Sequence, residues 1–105
     1  MYLVREVMHC KPGQVQPLVN AFKEVETAMK KKGFSQPARI LTDVSGEKYW
    51  TLVSEREVDN LEKYTEMSRQ VMSDPDIKKA MKDYHNYVDS GRREIYKIEF
   101  SGMVH

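Results

Sequence analysis

The sequence predicts a single α+β domain in which a four-stranded antiparallel sheet carries its helices on one face. Three observations lead there. Strand-like and helix-like segments alternate in the order β-α-β-β-α-(α)-β, the split βαβ plan. A chain of 105 residues has room for one hydrophobic core and not for two. The helical stretch before the last strand is broken at Asp74-Pro75-Asp76, which adds a helical segment there.

Residues Tyr2 to His9 are rich in Val, Leu, Tyr and Met and alternate in part, so they predict the first strand. Lys11-Pro12-Gly13 ends it. Val15, Leu18, Val19, Phe22, Val25 and Met29 then recur at helical spacing and make one apolar stripe. Pro17 fits only the first turn, where a missing amide hydrogen costs least, so this helix begins near Gly13 or Gln14. Gly33 supplies a left-handed stop after Lys30-Lys31-Lys32.

Ala38 to Val44 predicts the second strand and Tyr49 to Glu55 the third, with Ser45-Gly46-Glu47-Lys48 as a hairpin connection. Asp59 and Glu62 have capping-box spacing ahead of a helix striped by Leu61, Tyr64, Ser68, Val71 and Met72. Asp74 then offers an N-cap, Pro75 a first helical position and Asp76 an acidic first turn. A third helix is expected through Ile77, Ala80, Met81, Tyr84 and Val88, ending at Ser90-Gly91. Arg93 to Phe100 predicts the last strand. Residues 1–100 thus form one ferredoxin-like domain, and 101–105, including His105, a tail.

Composition narrows the function classes. Hydrophobic residues at 40% and charged residues at 31% suit a globular chain, and no apolar run is long enough to cross a bilayer. The N-terminus lacks a basic leader followed by an apolar stretch, so a cytoplasmic protein is expected. One cysteine, Cys10, excludes an internal disulfide and agrees with a reducing compartment. A formal net charge of +1 gives the molecule little attraction for polyanions, and the two basic clusters, Lys30 to Lys32 and Arg92-Arg93, fall where elements end. RNA-recognition motifs share this order of elements, but the stretch Gly46 to Leu52 fails their basic-Gly-aromatic pattern at most positions, so no nucleic-acid partner is expected.

A sheet with one wet face should alternate cleanly between apolar and polar residues. Here the first strand sets Tyr2, Val4 and Met8 against Leu3 and Val7. The third sets Tyr49 and Val53 against Trp50 and Leu52, and the last sets Ile95 against Tyr96, Ile98 and Phe100. Apolar groups on both faces predict a partner over the open one, most simply a second copy in a homodimer. Arg5, Glu6 and Lys97 interrupt the pattern, so the covered space is expected to be partly polar.

These features resemble the dimeric α/β-barrel superfamily, in particular its antibiotic-biosynthesis-monooxygenase-like and NIPSNAP-like members. The likeness spans nearly the whole chain. It is carried by the strand before Lys11-Pro12-Gly13 and its long helix, and by the Gly46 hairpin leading into Tyr49 to Glu55. The Leu61/Tyr64 helix, the Asp74-Pro75-Asp76 break and the closing Gly91 to Tyr96 strand complete it. The resemblance implies a dimeric barrel around a small-molecule cavity between helices and sheet. The activities it implies are cofactor-free oxygenation of electron-rich aromatic compounds or haem degradation. The haem-degrading branch uses an asparagine, a tryptophan and a histidine. This chain offers Trp50 and His85 but no asparagine in its first strand, and Asn20 belongs to the first helix, so that triad is not carried over.

Four side chains are candidates to line such a cavity. Trp50, the only tryptophan, could stack on a planar ligand; His85 falls at the edge of the third helix's stripe; Tyr64 and Tyr84 bring phenolic hydroxyls. The ordinary alternative for each is packing, as it is for the methionine stripe of Met29, Met67, Met72 and Met81. His9 and Cys10 are neighbours on a strand and point to opposite faces, and no paired metal-ligand spacing accompanies them, so no metal site is expected. No nucleophile elbow, P-loop or dinucleotide fingerprint occurs. The expected protein is therefore a cofactor-independent monooxygenase acting on a small aromatic molecule, or a non-catalytic ligand-binding or stress-associated dimeric barrel.

Overall fold

In the computed structural model, which describes residues 1–34 and 36–102, the alternating stretch at the N-terminus forms β1 (Tyr2–Cys10) at the heart of the sheet. It pairs antiparallel with β3 (Thr51–Val58) on one side and with β4 (Val88–Lys97) on the other. β2 (Ala38–Thr42) adds to the far edge of β3, giving the order β2-β3-β1-β4. This is the ferredoxin-like arrangement expected from the sequence.

α1 (Val15–Lys31) lies across the sheet because its stripe matches what the strands offer. Leu18 and Val19 meet Met8, Cys10 and Leu52 in one buried cluster, with Leu18 and Leu52 wholly inaccessible. Val25 and Met29 meet Met67 and Val71 of α2 (Leu61–Ser73) and Ile77 of α3 (Pro75–Ala80) in a second. Each such side chain contributes roughly 1.5–3 kcal/mol on burial. Gln14 stands at the N-cap position of α1 without a side-chain bond, which places Pro17 in the first turn, and Gly33 leaves α1 at φ +90°, a left-handed backbone that glycine adopts at little cost.

Several boundaries differ from the expected ones. β2 stops at Thr42 and β3 starts at Thr51, so Tyr49 and Trp50 lie in the loop and do not alternate across a strand. The Asp43 carboxylate accepts the Thr51 amide at 2.8 Å while the Asp43 amide donates to the Thr51 carbonyl at 3.2 Å, and this pair closes the ladder early. The second helix is capped by Asn60, whose side chain accepts from the Lys63 amide at 3.0 Å. Asp59 therefore stands one residue too early, and Glu62 falls short of the third helical position that a capping box requires.

Asp74 caps α3 as expected, accepting from the Asp76 and Ile77 amides, with Pro75 at the first helical position. The helix does not continue to Val88. It ends at Ala80, resumes as the single turn α4 (Tyr84–Tyr87), and Val88 already belongs to β4. The cause is the partner strand. Pairing runs from Cys10 opposite Val88 to Tyr2 opposite Lys97, with a bulge at His9/Cys10, so the backbone groups of β1 draw residues 88–92 into the sheet. Ser90 and Gly91 are therefore strand residues. β4 stops at Lys97 because β1 begins at Tyr2, with one more bond from the Ile98 amide to the Met1 carbonyl, so Ile98 and Phe100 lie beyond the sheet. His105 lies outside the described residues.

The face away from the helices is crossed by charge. Arg5 of β1 reaches Glu55 of β3 at 3.0 Å and Glu94 of β4 at 3.1 Å; Arg39 of β2 also pairs with Glu55, and Arg92 with Glu94. Val7, Val53 and Leu41 share that face with them. Glu6 belongs to the opposite face, toward the helices.

Candidate functional site

On the helix side, β1 and β4 set Glu6 opposite Arg93, and Arg93 Nε donates to Glu6 Oε1 at 2.6 Å. The Arg93 guanidinium carbon also stands 6.0 Å from the centre of the Tyr64 ring, a cation–π distance. Tyr64 comes from α2, where its helical register keeps it half-buried against the second core cluster. Tyr84 comes from the first position of α4 and is half-buried against the first cluster. Gly91 of β4 leaves the sheet surface bare there: a β-carbon at Gly91 would lie 3.8 Å from the Tyr84 hydroxyl.

Burial pushes both phenols above their ordinary pKa. At Tyr64 the Arg93 and Arg56 charges oppose this and Glu6 reinforces it; at Tyr84 Glu6 and Cys10 reinforce it. Both hydroxyls therefore stay protonated at neutral pH and can donate hydrogen bonds. Arg56 is itself paired with Glu26 of α1, with the Met29 sulfur 3.7 Å away. The Tyr64 ring thus stands beside an ion pair, Tyr84 feels the same carboxylate, and both hydroxyls can donate to a small molecule bearing oxygen acceptors.

Of the four candidates, Tyr64 and Tyr84 are thus brought into the electrostatic field of one carboxylate, Glu6. Trp50 lies elsewhere, in a recess of the β2–β3 loop lined by Tyr49, Val15, Thr42 and Asp43. His85 is exposed on α4 and makes an edge-on contact with the ring of its neighbour Tyr84, centroids 5.6 Å apart. The helical layer also carries an outer groove of about 740 Å³ between α1 and the α3–α4 segment, lined by Asn20, Glu24, Asp76, Lys79 and Asp83 among others. Among the described residues no group of three His, Cys, Asp or Glu side chains could hold a metal ion, and no helix is long and apolar enough to cross a membrane.

Glu6 and Arg93 were not singled out from the sequence as a pair. The available signal was opposite charge at matched positions of neighbouring strands. Reading it requires the β1–β4 register, which a last strand starting at Arg93 conceals.

The sequence matches no protein-family model and no curated protein. Solved structures do match. A protein from Agrobacterium tumefaciens superposes with a TM-score of 0.82 at 14% identity, covering 99% of this chain and 100% of that one. An uncharacterised NIPSNAP domain protein from Burkholderia xenovorans gives 0.78 at 12% identity, covering 98% and 100%. A protein from Chloroflexus aurantiacus described as a candidate antibiotic biosynthesis monooxygenase gives 0.70 at 14% identity, covering 98% and 96%. The resemblance read from the sequence thus holds at the level of structure: the chain has the fold shared by NIPSNAP proteins and antibiotic-biosynthesis-monooxygenase-like proteins.

Proposed function

We propose that the helix side of the β1–β4 pair, around Glu6 and Arg93, binds a small electron-rich aromatic molecule and that the protein is a cofactor-independent monooxygenase. The observation that carries this reading is that the Glu6–Arg93 pair has the Tyr64 ring beside it and that the Glu6 carboxylate acts on both the Tyr64 and the Tyr84 phenol. Arg93 would favour the phenolate form of a substrate, and the tyrosines would orient its oxygens. Oxidation of a ring methylene to a ketone consumes one O2 and releases one water, so it requires no outside reductant. The cytoplasm suits the free, buried thiol of Cys10.

The protein would act as a homodimer with the open sheet faces together, where Val7, Val53 and Leu41 lie among the ion pairs. A second reading, binding without turnover, has its own support: the Glu6 carboxylate is already engaged by the Arg93 guanidinium. Oxygen uptake over a panel of phenols and quinols separates the two. Turnover that falls about tenfold or more in Tyr64→Phe, Tyr84→Phe or Arg93→Gln, and is unchanged in His85→Ala, supports the oxygenase. Saturable binding of the same compounds without oxygen uptake favours the second reading, and neither binding nor uptake overturns both.

A further inference from the structure

We infer that the recess in front of Trp50 is a binding site, separate from the surroundings of Glu6 and Arg93, that takes a small planar aromatic cation. Trp50 is the one non-glycine residue with positive φ among those described, at +61°. A left-handed backbone is costly for an ordinary residue and persists only where neighbouring bonds impose it. Those bonds are present. The Cys10 amide donates to the Trp50 carbonyl at 2.8 Å, and the next residue, Thr51, gives its amide to Asp43. The Gly46 of the same loop, the residue suited to such a conformation, does not adopt it.

The consequence of the strained turn is where the indole goes. It stands out of the sheet, 44% exposed, beside Tyr49 at 85% exposed, against Val15 at the start of α1. The recess measures about 440 Å³, enough for two or three fused rings. Its one charged lining residue is Asp43, whose carboxylate is fixed by the Thr51 amide at 2.8 Å. Among the described residues no lysine or arginine lines it. Asp89 adds negative charge near Cys10, whose amide is bonded to the Trp50 carbonyl. Burial pushes that thiol up, and Asp89 and Asp43 push it further. Aromatic faces beside a fixed carboxylate attract a flat, positively charged ring and disfavour an anion.

Trp50 is the only tryptophan of the chain, so its fluorescence reads this recess directly. The probe is N-methylquinolinium, with naphthalenesulfonate as a flat anion of similar size. Saturable quenching by the cation is expected, about tenfold weaker for the anion and about fivefold weaker in Asp43→Asn, whose amide oxygen can keep the Thr51 bond. In Trp50→Gly the strain is relieved and the stacking face removed, so calorimetry should show no binding while the fold survives by circular dichroism. Quenching that does not saturate, equal quenching by the anion, or binding unchanged in Asp43→Asn overturns the site. Binding retained in Trp50→Gly, or abolished in Tyr64→Phe or Tyr84→Phe, would place the cation elsewhere and overturn it as well.

Discussion

Arg93 and Glu6 meet across the β1–β4 pair at 2.6 Å, and they do so on the face where the Tyr64 and Tyr84 rings stand. About half of the Arg93 side chain and a third of Glu6 remain open to water, so the pair is worth little to the fold. Glu6→Gln should therefore change the unfolding free energy by no more than about 1 kcal/mol in urea titrations. A loss of more than about 2 kcal/mol would mean that the pair is structural, and would weaken the case for a ligand site around it.

Glu55 is a different matter. It is only 7% exposed and joins Arg5 to Arg39 across three strands of the open face. Glu55→Gln leaves two guanidiniums sharing a neutral partner, and because Arg39 itself is mostly exposed the cost should be about 1–3 kcal/mol. A urea midpoint unchanged from wild type would show that water replaces the carboxylate without loss.

The order of elements and the apolar stripe of α1 were legible because periodicity is a local property: Leu18, Val19, Val25 and Met29 are buried as their spacing requires. Asp74 and Pro75 were legible for the same reason, since a cap acts within three residues. What escaped was set by partners distant in sequence. Ile77, Ala80, Met81, Tyr84 and Val88 have a local helical pattern, yet β1 claims Val88 onward for its ladder. Trp50 and Tyr49 have strand-like composition, yet the Asp43–Thr51 pair excludes them from the sheet. Two of the four candidate side chains, Tyr64 and Tyr84, share the field of Glu6 because both elements pack over the β1–β4 side, whereas the Glu6–Arg93 pair needed the register itself.

The open face tests the proposed homodimer. Leu41 is 40% exposed there, so Leu41→Glu should leave the protomer's fold intact while placing an unpaired charge in the interface. Light scattering after size exclusion should give a dimer for the wild type and a monomer for the variant at micromolar concentration. A wild type that elutes as a monomer, or a variant that stays dimeric, would rule this face out as the interface.

The α1–α3 junction gives the protein an acid-sensitive contact. Asp74 Oδ2 lies 2.8 Å from Lys32 Nζ while Oδ1 caps α3. The Lys32 hydrogen bond holds the Asp74 carboxyl below its ordinary pKa, helped by the Ile77 and Asp76 amides and opposed by desolvation. A depressed folded-state pKa means that the folded chain resists protonation more than the unfolded one. Its stabilising contribution is therefore full above the ordinary carboxylate range and is lost as pH falls through the lowered value. Asp74→Asn keeps a capping oxygen but has no charge to titrate. Urea midpoints followed from neutral pH to about pH 2 should show the wild type losing its advantage over Asp74→Asn in the acid range, with the two curves converging at the lowest pH. Parallel curves over the whole range would mean that Lys32 and Asp74 are not coupled in solution, and that the cap alone fixes the start of α3.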